Sequence, residues 1–141
     1  MHRRFAGADP RHIAELRSTL ESSAARLAAE RRTERDLRQL DTLLARREEA
    51  WARGDAEQFV AADTTLHLAV VASSHNDVMS ALYADLGDLV RDALRGDVGR
   101  VLRPEDHLDH ARLVAAIRAG DVEAAGSEAA GHAFSCLRER V

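Results

Sequence analysis

Apolar residues return every three or four positions along almost the whole chain, and the breaks in that rhythm carry capping residues. The pattern therefore predicts helix throughout. Asp9-Pro10 is a helix start, with aspartate as N-cap and proline at the first helical position. Ile13, Leu16, Leu20, Ala24 and Leu27 then make a stripe to about Glu30; Arg17 lies on its edge, open to a place in solvent or in the interior. Thr33 and Asp36 form an approximate capping box for a second helix striped by Leu37, Leu40, Leu43, Leu44 and Trp51. Gly54 ends that helix and Asp55 caps a third, which carries Phe59, Val60, Leu66, His67, Val70 and Val71. Polar residues from Ser73 to Asn76 stop it, and Asn76 caps a fourth helix over about Asp77 to Arg95, faced by Met79, Leu82, Tyr83, Leu86, Leu89, Val90 and Leu94. Gly96 and Gly99 bracket a loop. Pro104 opens a fifth helix through Leu108, Leu113, Val114 and Ile117 to Gly120, and Asp121 caps a sixth that runs to about Arg140. The expectation is an all-α fold of six helices.

Composition agrees with that class. A chain of 141 residues fits one domain, and two prolines with 4% aromatics favour helix over sheet. The net charge is −4, and all 20 basic residues are arginine. Those of the second helix (Arg31, Arg32, Arg35, Arg38, Arg46, Arg47, Arg53) alternate with acids, which predicts a solvated, ion-paired face rather than a stripe for DNA phosphates. A single cysteine, Cys136, excludes an internal disulfide and fits a reducing cytoplasm. The apolar runs are too short and too charged to span a membrane, and Met1 to Ala8 lacks the apolar core of a signal peptide.

The chemistry gathers around Asp63-Thr64-Thr65-Leu66-His67. Four residues apart on a helix, the carboxylate and the imidazole project from one face within reach of a single ion. His110 lies on the inward stripe of its helix with Leu113, Val114 and Ile117, and His132 shares a face with Ala125, Ala129 and Cys136. The segments Gly54-Asp55 and Gly120-Asp121 each make a tight antiparallel hairpin. His110 and His132 lie 10 and 12 residues from the second turn, roughly 15 and 18 Å at ~1.5 Å per residue. Asp63 and His67 lie 9 and 13 residues from the first, about 14 to 20 Å along. With both turns at one end of the bundle, all four groups meet. They would share a metal ion there, or stand as separate core residues satisfied by local hydrogen bonds. His2, His12 and His75 are expected on the surface, as is His107, the one nearby candidate for a general base.

The run Asp63 to His67, the segment His110-Ala111-Arg112-Leu113-Val114-Ala115-Ala116-Ile117-Arg118-Ala119-Gly120-Asp121, and His132 resemble the FCD domain, the FadR C-terminal type of ligand-binding domain of GntR-family transcriptional regulators. Leu16 to Glu21 with the alanines after it, and Thr33, also resemble the start of that domain. The resemblance covers about residues 10 to 140 and implies an antiparallel bundle enclosing a central pocket. It implies a divalent ion, zinc or nickel by the donor set, held by Asp63, His67, His110 and His132, with Arg17 assisting a small organic acid effector. Six helices suggest the shorter, VanR-like subgroup. His75 stands where many members have glycine.

The family's winged-helix reader has no counterpart here. Eight residues precede the first helix, so the expected layout is a disordered or expression-derived tail over 1–8 and the effector domain over 9–141. DNA would be reached only through the missing N-terminal domain, in a homodimer. The rival reading is a helical-bundle metalloenzyme using the same Asp/His site.

Overall fold

A computed structural model of the chain describes residues 5, 7–89, 91, 92, 102, 104, 107 and 110–135, the last two as backbone. Six helices have defined bounds: α1 (Pro10–Arg31), α2 (Glu34–Arg53), α3 (Ala56–Ala72), α4 (Asp77–Asp85), α5 (Ala111–Ala119) and α6 (Val122–Ser135). No strand occurs among the described residues. The expected caps form. Asp9 accepts from the Arg11 N–H at 2.9 Å, Asp55 from the Gln58 N–H at 3.0 Å, Asn76 from the Met79 N–H at 3.0 Å and Asp121 from the Ala124 N–H at 3.1 Å. Thr33 and Asp36 cap each other's backbone N–H at 2.9 and 3.1 Å. Gly54 and Gly120 close α2 and α5 with φ of 67° and 70°, a conformation that costs glycine little.

Two expected helices differ. The fourth is in two pieces: α4 ends at Asp85, Leu86 turns, and helical backbone returns at 87–89 and at 91 and 92. Gly87, a poor helix former, sits at the break, while Leu86 buries itself against Ala50, Phe59 and Val60. The fifth helix begins at Ala111, not at Pro104. Pro104 instead opens a short turn closed by the His107 N–H. The His107 ring stacks on Trp51 of α2 with centroids 4.4 Å apart, and its Nε2 lies 2.7 Å from Glu48. Those tethers to α2 outweigh the local proline signal. The Gly96–Gly99 loop, Val90, Leu94, Leu108 and Cys136 lie outside the described residues.

The core runs through the middle of the bundle. Leu37, Leu40 and Leu43 of α2 meet Leu66 and Val70 of α3 and Leu113, Val114 and Ile117 of α5. Helix α1 contributes only alanines to that cluster, as does α6, and these two helices make the most extensive contact of the fold. The face that α1 buries is Ala14, Arg17, Glu21, Ala24, Ala25, Ala28 and Ala29. This shifts the expected stripe by one position: Leu16 is 43% exposed, while Ile13, Leu20 and Leu27 are half-buried. Methyl groups let the two backbones approach closely, and larger side chains are displaced to the flanks.

One end of the bundle is laced by polar contacts. Arg31 donates to the Ser74 carbonyl at 3.1 Å, Arg32 to the Arg118 carbonyl at 3.1 Å, and Arg118 to Asp41 at 2.6 Å. His75, at φ 52°, places Nε2 2.6 Å from the same Asp36 oxygen that caps the Thr33 N–H. That φ lies in the left-handed region, which glycine adopts at least cost.

Replacing Ala25 or Ala28 with leucine should overpack the seam beside α6 and lower stability by about 1–3 kcal/mol. The urea midpoint checks this; an unchanged midpoint would show that the seam has room to spare.

Candidate metal centre

Helix α3 presents Asp63 and His67 inward one turn apart, both buried. His110 caps the start of α5 without using its side chain on the backbone, which leaves the imidazole directed into the core. His132 arrives from α6 and is buried. The structure gathers Asp63, His67 and His110 into one group of closely spaced donor atoms, with His132 beside it but outside that group, and the packing premise differs. The Gly120 turn stands beside Ala29 and Arg32, at the end of the bundle where α1 passes into α2. Gly54 closes the other end of α2. The turns are therefore at opposite ends. The groups still converge because each lies about 14–20 Å from its own turn in a bundle whose longest helices, α1 and α2, span about 30 Å, so the same level is reached from either end.

Three donors form a tight triangle. Nε2 of His67 lies 3.1 Å from Nε2 of His110; Asp63 Oδ1 lies 3.2 Å from His110 Nε2, and Asp63 Oδ2 lies 3.4 Å from His67 Nε2. Ligands bound at about 2.0–2.2 Å around one ion stand roughly 2.9–3.4 Å from each other. The donors thus already have the spacing and chemistry of a site for a late first-row divalent ion. His132 stands beside the triangle, its ring stacked on that of His110 with centroids 4.0 Å apart and 6.4 Å from that of His67.

Around the donors lie partners that the sequence reading assigned elsewhere. Arg47, expected on a solvated face, is 1% exposed. Its Nε donates to Asp63 Oδ1 at 2.7 Å and its guanidinium lies over the Phe59 ring, 4.7 Å from the centroid. The one local signal of its burial is spacing: Arg47 continues the stripe Leu40, Leu43, Ala50 along α2. Glu21, not singled out from sequence, is also buried. It receives the Tyr83 hydroxyl at 2.8 Å, lies 2.7 Å from His67 Nδ1, and pairs with Arg17 at 3.3 Å. The pair Arg17 and Glu21 at i,i+4 among inward alanines was the available signal. Arg17 thus turns inward. It also lines an apolar cavity of about 230 Å³ with Ile13, Leu16, Leu86 and Leu89.

Burial would favour neutral forms of all these groups, and the local charges decide which of them resist. Burial raises the Asp63 carboxyl, but the His67 charge and hydrogen bonds from His110 and His67 hold it well below the usual range. Burial likewise raises Glu21, yet His67, Arg17 and Tyr83 bring it down to about 2. His67 is pushed down by burial and up by Asp63 and Glu21, reaching about 9, so without a metal it carries two protons at neutral pH. His110 is lowered by burial, and His132 falls to about 3 by burial and by the neighbouring His110 and His67. Both are neutral imidazoles, the form that binds metals.

His75 is half-exposed, in keeping with its expected surface position, whereas His107 is partly covered by Trp51.

A buried Asp/His cluster at the waist of an antiparallel helical bundle defines the class: an all-helical domain with a polar centre. The chain belongs to the FCD domain family, whose pattern matches residues 12–133. It is 36% identical over 124 residues to the galactonate operon transcriptional repressor of Escherichia coli (strain K12), covering 83% of this chain and 52% of the repressor. It is 33% identical over 87 residues to the HTH-type transcriptional regulator LutR of Bacillus subtilis (strain 168), covering 62% of this chain and 39% of the regulator. The solved structure of Streptococcus agalactiae GntR superposes with a TM-score of 0.73 at 25% identity, over 94% of this chain and 59% of that one. E. coli McbR/YncC shares the fold, with a TM-score of 0.69 at 24% identity over 93% of this chain and 68% of that one. The relatives are GntR-family transcriptional regulators, and this chain spans about half their length or less.

Arg47→Met should strand a buried carboxylate and destabilise the metal-free protein by about 3–5 kcal/mol in urea unfolding. A loss below about 1 kcal/mol would show that the histidines alone neutralise Asp63.

Proposed function

We propose that this chain is the effector-sensing domain of a GntR-family transcriptional regulator. In this reading a divalent ion, zinc or nickel by donor type, is held by Asp63, His67, His110 and His132. The observation that carries it is the buried triangle of donors 3.1–3.4 Å apart. Bound there with more than four coordination positions, the ion supplies a Lewis-acid site for the carboxylate of a small organic acid.

Arg17 is the cation of the second contact. Arg17 is buried beside Glu21 and is one of the residues lining the apolar cavity formed with Ile13, Leu16, Leu86 and Leu89, which favours contact with an acid away from water. Charge-assisted hydrogen bonds are strongest in such surroundings. Acid binding then favours one packing of the bundle over another and alters how a homodimer presents its DNA-reading domains. The relatives regulate transcription, which supports sensing over catalysis.

Metal analysis of protein purified without a histidine tag should find about one ion per chain. The joint substitution His110→Ala and His132→Ala should abolish it; retained metal would mean that the ion binds elsewhere. A thermal-shift screen of small carboxylic acids should find one that raises the melting temperature in metal-loaded protein and has no effect after chelation. At ligand about 100-fold above Kd the gain is about 2.7 kcal/mol. Turnover of an acid instead of stabilisation would favour an enzyme.

A further inference from the structure

Glu21 lies outside the four proposed ligands, yet it is the group on which three helices meet. From α1 its Oε1 faces Nδ1 of His67 on α3 at 2.7 Å, and the same oxygen accepts the Tyr83 hydroxyl of α4 at 2.8 Å. Its other oxygen faces Nε of Arg17 at 3.3 Å. Both directional donors, the His67 Nδ1–H and the Tyr83 hydroxyl, converge on Oε1, while Oε2 faces the Arg17 charge without a hydrogen bond. Two hydrogen bonds on one oxygen, from two different helices, orient the Glu21 side chain. Glu21 and Tyr83 are 2% and 1% exposed, so water does not compete for these bonds.

The consequence falls on His67. An imidazole binds an ion through one nitrogen only when the other carries the proton, and the partner of that other nitrogen selects the tautomer. We propose that Glu21 is a positioning residue of the metal centre: by accepting the Nδ1–H of His67 it directs the Nε2 lone pair toward Asp63 and His110, and Tyr83 with Arg17 holds it in place. Neither Glu21 nor Tyr83 touches the ion. This inference rests on the metal-centre reading of the preceding subsection.

Zinc is the probe, its affinity measured by competition with a chromophoric chelator on the full chain. Glu21→Ala should weaken zinc binding about 10- to 100-fold. Glu21→Gln keeps an acceptor for Nδ1–H and should recover much of that loss, and Tyr83→Phe should cost several-fold. Long-range proton–nitrogen correlation spectra of the zinc-loaded protein should show His67 with its proton on Nδ1 and the metal on Nε2, and a mixed or reversed assignment in Glu21→Ala. Wild-type affinity and an unchanged tautomer in Glu21→Ala overturn the proposal. Should that variant fail to fold because Arg17 is left opposite no charge, equal zinc affinity in wild type, Glu21→Gln and Tyr83→Phe overturns it. A wild-type chain that takes up no zinc removes the metal centre itself, a result separate from one in which zinc binds equally well without Glu21.

Discussion

A carboxylate removed from water at the centre of an apolar bundle is the constraint around which this fold is arranged. Asp63 is buried among leucines, valines and alanines, where an uncompensated charge would be untenable. Its partners come from three directions: Arg47 from α2, His67 from its own helix and His110 from the start of α5. Glu21 repeats the arrangement one layer out, set between Arg17, His67 and Tyr83. Two carboxylates, two guanidiniums and the His67 imidazole thus form one connected polar core on α1, α2 and α3. Tyr83 from α4 and His110 at the start of α5 join it as uncharged partners, so these helices cannot slip by a turn without breaking buried polar contacts. Buried networks of this kind stabilise only when complete, which makes them devices of specificity more than of raw stability.

The same network accounts for the close spacing of Asp63, His67 and His110. The three donors are already at metal-site spacing because they are held there by hydrogen bonds to each other and to a protonated His67. Side chains held in this way are preorganised, so little entropy remains to be lost in ordering them.

Much of the fold was legible because helix boundaries are local chemistry. Asp9-Pro10, Thr33 with Asp36, Gly54-Asp55, Asn76 and Gly120-Asp121 mark starts and stops that depend on neighbours within four residues. The candidate donors were legible for the same reason, since Asp63 and His67 share a face whatever packs against it. What was not legible depends on tertiary partners. The inward face of α1 is a run of alanines with Arg17 and Glu21, and only the close approach of α6 tells that face from the one bearing Leu16 and Leu20. Arg47 had the charge of a surface residue and the spacing of a core one, and its buried partner sits sixteen residues away. The start of α5 was displaced from Pro104 by contacts to Trp51 and Glu48 on a helix half the chain distant. Relative hairpin orientation carries no local signal at all, which is why the mid-height position of the donors mattered more than the assumed direction of their turns.

One oxygen at the edge of the bundle has a reach beyond its size. Asp36 Oδ2 accepts both the Thr33 N–H, which begins α2, and Nε2 of His75, which follows α3. The two connections that flank these helices therefore share a fastening, and neither can open fully without loosening the other. Local openings at that end are then a joint event. In hydrogen-exchange terms, the amides around Thr33 and those around His75 belong to one cooperative unit, although they are separated by the whole length of two helices.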